Sequence, residues 1–284
     1  MKNEVFDNVV NDLRLHIHYS GYCVCDKLWQ TENLATAFCR LYIPVSGGGS
    51  LYCGGKTVEM IPGNAYLLPP EEPVSYSCPK TMQKLFFHLS FFSPNHYDLF
   101  LGCKEILQIP LRQSQLEEYI ERYHSKSYYG CIRLKQLLYG TLLDLYQQEP
   151  VSNQEIPSYS AYVRETMTYI HQNLSAKLTV RDLAKRQYVS YTTLNKYFRA
   201  ELGMTAGKYI DDQLLIQAKS MLCYTSDSIA EISRRLEFSD PFYFSNKFKS
   251  LSGFTPRAYR KLHTELSANK PLDFTHRSDG ISRA

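Results

Sequence analysis

His16-x-His18 and Cys23-x-Cys25 carry the residue types of metal ligands, and each pair would share one face of an extended strand. Closed zinc sites usually separate paired ligands by two or more residues, whereas plain strand alternation gives the i, i+2 pattern unaided. The reading is therefore two strand-borne pairs, no metal and no cofactor. Eight cysteines, at 23, 25, 39, 53, 78, 103, 131 and 223, lack the spacing of a disulfide framework and suit a reduced compartment. A different chemistry gathers downstream. From Tyr162 to Thr264 there are 16 Lys and Arg against 9 Asp and Glu, a net +7, while residues 1–161 carry a net −3. A basic excess confined to one region is what a phosphate-binding surface requires.

That basic region repeats itself. Thr179-Val-Arg-Asp182-Leu183-Ala184 is answered by Ser228-Ile-Ala-Glu231-Ile232-Ser233 at an offset of 49, as Ser190 is by Ser239. After one inserted residue the offset becomes 50: Leu194 matches Phe244, Phe198 matches Phe248, Arg199 matches Lys249, and Gly203-x-Thr205 matches Gly253-x-Thr255. Two units on one plan are expected. In each, a capping-box pattern (Thr179 with Asp182, Ser228 with Glu231) opens a short helix. A break follows, then a second cap at Ser190 or Ser239, with Pro241 tolerated in the next first turn. Ala184 and Ser233 are small enough to let the second helix cross closely. This is helix-turn-helix geometry, which lays its second helix in the major groove of DNA. Residues 206–223 between the units would form a helix of about 27 Å, holding two recognition helices apart and parallel. One turn of B-DNA is about 34 Å, so two adjacent major grooves on one face are the expected target.

The first half reads as β-structure. Leu15–His18, Phe38–Ile43, Ser50–Cys53, Lys56–Ile61, Ala65–Leu68, Val74–Cys78 and Lys84–Phe92 are strand-like, separated by Gly47-Gly-Gly49, Gly54-Gly55, Pro62-Gly63 and Pro69-Pro70. Short strands at this spacing suggest a small barrel or jelly roll. Two helices follow over 113–124 and 129–148, the second with an apolar stripe of Cys131, Leu134, Leu138, Leu142 and Leu145. Part of that stripe should pack on the barrel and part could pair with a second copy; packing wholly within one chain is the rival reading. No apolar run reaches the roughly 18 residues of a membrane span. Met1–Asp7 lacks a signal-peptide pattern, so a cytoplasmic protein is expected. The fold class is α+β in two domains: 1–150, a linker at 151–160, a helical domain at 161–264, and a disordered tail at 265–284.

Two resemblances bear on function. Gly47–Gly49, Pro62-Gly63-Asn64 and Leu67-Leu68-Pro69-Pro70 resemble the N-terminal cupin domain of AraC/XylS-type transcription regulators. Ile229-x-x-Ile232, Phe238-Ser239-Asp240, Tyr243-Phe244-x-x-x-Phe248-Lys249 and Gly253-Phe-Thr255-Pro256-x-x-Tyr259-Arg260 are similar to the signature of the same family's DNA-binding half. The resemblance covers residues 162–262 strongly and 36–92 loosely. It implies a transcription regulator, usually an activator, that binds promoter DNA, answers a small effector, dimerises through helices after the cupin and, as an activator, meets RNA polymerase. Where metal-dependent cupins often place a histidine this chain has Pro73-Val74-Ser75, so no metal and no enzyme activity are expected.

Carried over by position, the DNA-contacting residues are Tyr191, Thr192, Asn195, Lys196 and Arg199 in the first recognition helix, and Phe242, Ser245, Asn246 and Lys249 in the second. Asn suits adenine, and Arg and Lys suit guanine or phosphate. Leu194, Phe198, Phe244 and Phe248, four apart, mark the core face, and Tyr243 fits either side. For the effector, inward positions of the barrel would offer Arg40, Tyr42, Tyr66, Tyr76 and His88, with Trp29 at the mouth. Aromatic rings with a few polar tips suit a sugar or similar polar metabolite. The alternatives are a surface ion pair for Arg40, a core role for His88, and a barrel that only dimerises. The chain departs from the family at Glu237, where glycine is usual, and at Leu214, where arginine is frequent.

Overall fold

The structure, a computed structural model, describes residues 10–11, 13–93, 97–149 and 159–267. The expected linker lies outside these residues except for Tyr159 and Ser160, and the expected tail lies outside them beyond Ser267. By contact the described chain divides into two compact units, one of residues 14–92 with 98–149, the other of residues 159–267, mostly helical, with 10–11, 13, 93 and 97. No described helix is long and apolar enough to cross a membrane.

The N-terminal unit holds nine strands: β1 Arg14–Cys25, β2 Gln30–Leu34, β3 Cys39–Gly47, β4 Gly49–Cys53, β5 Lys56–Met60, β6 Asn64–Leu68, β7 Val74–Ser77, β8 Met82–Phe92 and β9 Leu107–Pro110. They form two sheets, in the orders β1-β8-β3-β6-β9 and β2-β7-β4-β5, with every pair antiparallel. The expected barrel is thus two facing sheets, with no closed ring of strand hydrogen bonds among the described residues. The chain passes from one sheet to the other at Gly47-Gly48-Gly49. Gly47 has a φ of +71°, and a Cβ there would lie 1.9 Å from the Thr81 carbonyl oxygen. Only glycine fits that approach. Strands β2 and β9 escape sequence reading because Gln30-Thr-Glu-Asn-Leu34 is polar and Leu107–Pro110 is only four residues long.

Register separates the two faces of the larger sheet. Tyr42 of β3 lies beside Phe86 of β8 and Tyr66 of β6, Arg40 beside His88, and Cys23 of β1 beside Lys84. Side chains alternate along a strand, so these residues share the face turned toward the second sheet. Leu41, Ile43, Leu67, Leu85, Phe87 and Leu89 take the opposite face, all fully buried. Helix α1 (Gln113–His124) covers that face, with Tyr119 and Tyr123 against Phe87, and Tyr139 of α2 (Tyr128–Tyr146) lies against Phe91. Leu138, Leu142 and Leu145 of the apolar stripe are buried within the unit, while Cys131 at its start is exposed.

The helical unit comprises α3 Ala161–Gln172, α4 Val180–Arg186, α5 Tyr191–Leu202, α6 Ala206–Tyr224, α7 Ile229–Arg235, α8 Pro241–Ser252 and α9 Pro256–Ser267. Its core joins Val163, Met167 and Ile170 of α3 to Leu194 and Phe198 of α5, Leu214 and Ala218 of α6, and Phe244 and Phe248 of α8. Leu214 therefore serves the core, where an arginine head group would need an exit to water.

Candidate nucleic-acid interface and effector site

Each short helix is started by a hydroxyl cap and stopped by the same device, and the full capping box forms only in the second. The Thr179 hydroxyl accepts from the Asp182 N–H at 3.2 Å, and the Ser228 hydroxyl from the Glu231 N–H at 3.2 Å. The Glu231 carboxylate reaches back to the Ser228 N–H at 2.7 Å, which holds its pKa below the ordinary carboxylate value. Both helices end in a left-handed residue: Tyr188 at φ 53° and Glu237 at φ 56°. The Tyr188 N–H donates to the Lys185 carbonyl and the Val189 N–H to the Ala184 carbonyl. In the second unit Glu237 and Phe238 repeat both bonds to Arg234 and Ser233. This is the Schellman stop, in which the left-handed position favours glycine. The family departure at Glu237 was visible in the sequence; its partner at Tyr188 was not, because no residue type marks it.

The second helix of each unit is capped at its N-terminus, by Ser190 accepting from Thr193 N–H at 3.0 Å and by Asp240 accepting from Tyr243 N–H at 2.8 Å. Asp240, not Ser239, is thus the cap of α8, one residue later than the repeat predicts. Both helices end at glycines in the left-handed region, Gly203 and Gly253. Leu194, Phe198, Phe244 and Phe248 are buried anchors. On the outer faces lie Tyr191, Thr192, Lys196 and Arg199 of α5 and Phe242, Asn246 and Lys249 of α8, all exposed. Phe242 is 77% exposed, an unusual degree for a phenylalanine. Lys196, Arg199 and Lys249 have no ion-pair partner among the described residues, whereas Lys247 is held by Asp211 of α6 at 2.6 Å. Tyr243 is half exposed, with its ring against Phe238.

Two expected contact residues are turned to other work. Asn195 is only 5% exposed; its Oδ1 accepts from the Ala206 N–H at 3.1 Å and its Nδ2 donates to the Tyr191 carbonyl at 3.2 Å. It ties the recognition helix to the first residue of α6, whose N–H has no partner within its own helix. Ser245, its counterpart in α8, is half-buried and donates to the Pro241 carbonyl at 2.7 Å.

In the N-terminal unit, four of the six expected effector residues converge between the sheets. Trp29 stacks on Tyr76 at 4.2 Å and meets Tyr42 edge-on at 5.8 Å. Arg40 is 1% exposed; its Nη2 donates to the Leu34 carbonyl at 3.1 Å, while Nε and Nη1 have no hydrogen-bond partner. His88 lies on the same sheet face, stacked on Phe38 at 5.3 Å. Tyr66 is a correction: its hydroxyl donates to the Glu59 carbonyl and accepts from the Ile61 N–H, both at 3.0 Å, so its polar tip closes the β5–β6 turn.

Sequence reading missed the centre of this group. The Lys84 ammonium lies 3.7 Å from the centroids of both the Trp29 and Tyr42 rings, a cation–π contact on two sides. Burial lowers its pKa to about 8, against the raising effect of the Cys25, Cys23 and Cys78 thiols. Burial likewise pushes Tyr42 up to about 12, opposed by the adjacent Arg40 guanidinium. The Cys23 and Cys25 sulfurs are 3.7 Å apart and share a hydrogen bond that lowers the first thiol and raises the second. The signal for Lys84 was its place two residues before Phe86 and four before His88, on one face of its strand.

Comparison with known proteins places this geometry. A family described as a helix-turn-helix domain matches residues 183–262. The Msm operon regulatory protein of Streptococcus mutans is 23% identical over 262 residues, covering 89% of this chain and 94% of that protein. The arabinose operon regulatory protein of Salmonella typhimurium is 26% identical over 232 residues, covering 78% and 82%. Among solved structures, ToxT from Vibrio cholerae shares the fold with a TM-score of 0.50 at 14% identity, over 87% of this chain and 98% of that one. Residues 183–262 thus carry a helix-turn-helix domain of AraC type, and these two relatives, matched over most of their length, are named as operon regulators.

Proposed function

We propose that this chain is a sequence-specific promoter-binding activator, dimeric, whose N-terminal unit takes up a small polar metabolite such as a sugar. The observation that carries the DNA-binding part is the pair of matching stops at Tyr188 and Glu237, which set two recognition helices on one plan with cationic and aromatic side chains outward. Thr192, Lys196 and Arg199 of one helix, and Phe242, Asn246 and Lys249 of the other, are the residues for base edges and phosphates. The domain plan is an effector and dimerisation region over 1–150 and a DNA-binding region over 161–264. Tyr128, Tyr129, Ile132 and Leu143 leave an exposed apolar surface on α2 that suits a second copy, and RNA polymerase is the partner of an activator. The name of the arabinose operon relative supports a sugar-linked role. The test is a reporter driven by the chain's own promoter. Arg199→Ala with Lys249→Ala abolishes regulation while the protein stays folded; unchanged regulation refutes the assignment.

A further inference from the structure

The inner face of the larger sheet holds two buried cations, and the enclosed carboxylate of the same unit, Asp98, is taken by the Phe91 and Phe100 N–H groups and the Cys39 thiol. Arg40 and Lys84 are each 1% exposed and stand on the same inner sheet face. The groups that act on Lys84 are the Cys25, Cys23 and Cys78 thiols and Arg40 itself, none of them a carboxylate. Lys84 is sustained by the Trp29 and Tyr42 rings. Arg40 has less support: its partners are neutral, the Leu34 carbonyl accepting from Nη2 and the Tyr42 hydroxyl lying beside the guanidinium, while Nε and Nη1 have no hydrogen-bond partner. A buried charge of this kind is costly unless paired. The guanidinium fork matches carboxylate and phosphate oxygens, which form its strongest hydrogen bonds. Beside it, the Tyr76 and Tyr42 rings offer apolar surface for a carbon skeleton, with Trp29 packed between Tyr76 and Lys84.

We propose that the effector is a small organic anion, a carboxylate or a phosphate monoester, whose charged group is seated on Arg40 with Lys84 as the second cation. This rests on the reading that the N-terminal unit senses a metabolite, and sharpens it: a neutral sugar leaves both cations uncompensated, whereas a sugar acid or sugar phosphate answers them and lays its ring against the aromatic wall.

The experiment is thermal melting of the full-length protein with matched probes: glucose, glucuronate and glucose 6-phosphate; arabinose, arabinonate and arabinose 5-phosphate; and a series of short hydroxycarboxylates. Each is run on the wild type, Arg40→Lys and Lys84→Met. The expected result is a saturable rise in melting temperature with acidic members and none with their neutral counterparts. The better of the carboxylate and phosphate arms names the group. Lys84→Met weakens that binding roughly 30-fold or more, the usual loss when one partner of a buried charge contact is removed. Arg40→Lys, which keeps the charge but loses the fork, weakens it also while promoter binding is retained. A neutral sugar that stabilises wild type and both variants alike overturns the anion proposal and leaves the sensor intact. No shift with any probe overturns the sensor and the anion proposal with it.

Discussion

Asn195 separates two accounts of the first recognition helix. If it reads adenine, Asn195→Ala changes the preferred DNA sequence and leaves stability alone. The structure predicts the reverse. Its Oδ1 is the partner of the Ala206 N–H, and alanine 206 is fully buried. Removing that acceptor leaves a buried donor without a partner, which costs about 1–3 kcal/mol. Loss of the second bond, to the Tyr191 carbonyl, costs less, because that carbonyl lies on a half-exposed residue of the first helical turn. For a domain of about 100 residues each kcal/mol lowers the melting temperature by roughly 4–8 °C. The transition of the helical unit, followed by far-ultraviolet circular dichroism, should therefore fall by several degrees. In parallel, binding sites selected in vitro from random DNA by Asn195→Ala should match those of the wild type. An unaltered melting curve with a lost or changed adenine in the selected sites would refute this reasoning.

Glu237→Gly should raise the stability of the helical unit by up to about 1 kcal/mol, because a non-glycine residue at positive φ is disfavoured. Its 4.0 Å contact with Lys177 is too exposed to offset that gain; a lower urea midpoint would count against it. Ser228→Ala removes the cap of α7 and should cost about 0.5–2 kcal/mol in the same measurement. His18 is half-buried beside His16 and Ser90, and desolvation of its ring holds its pKa at about 3 against the ordinary 6.5. The unfolded chain therefore binds a proton that the folded chain refuses, and stability falls as pH drops from 6.5 toward 4. His18→Gln should flatten that slope relative to wild type; equal slopes would refute it.

What was legible in the sequence was whatever repeats or alternates. The double unit was readable because caps, small residues and anchors recur at offsets of 49 and 50, and because burial at spacing four is a local property of a helix. Asn195 was misread because its partner, Ala206, belongs to the next helix, a contact that periodicity does not encode. Tyr66 was misread likewise, its hydroxyl being used by a turn closed in three dimensions. Seven strands were legible from alternation and turn glycines. Their division into two sheets was not, since sheet membership follows from pairing between distant segments such as β1 with β8. Arg40 was placed inward by alternation, whereas Lys84 looked like an ordinary strand cation; only register puts the two on one face.

The central claim is that α5 and α8 enter two successive major grooves. Hydroxyl-radical footprinting of the full-length protein on its own promoter tests it most directly. The account predicts two protected patches on one face of the duplex, about 10 base pairs apart. Arg199→Ala should weaken one patch and Lys249→Ala the other. A single protected patch, or two that fade together with either substitution, would contradict it.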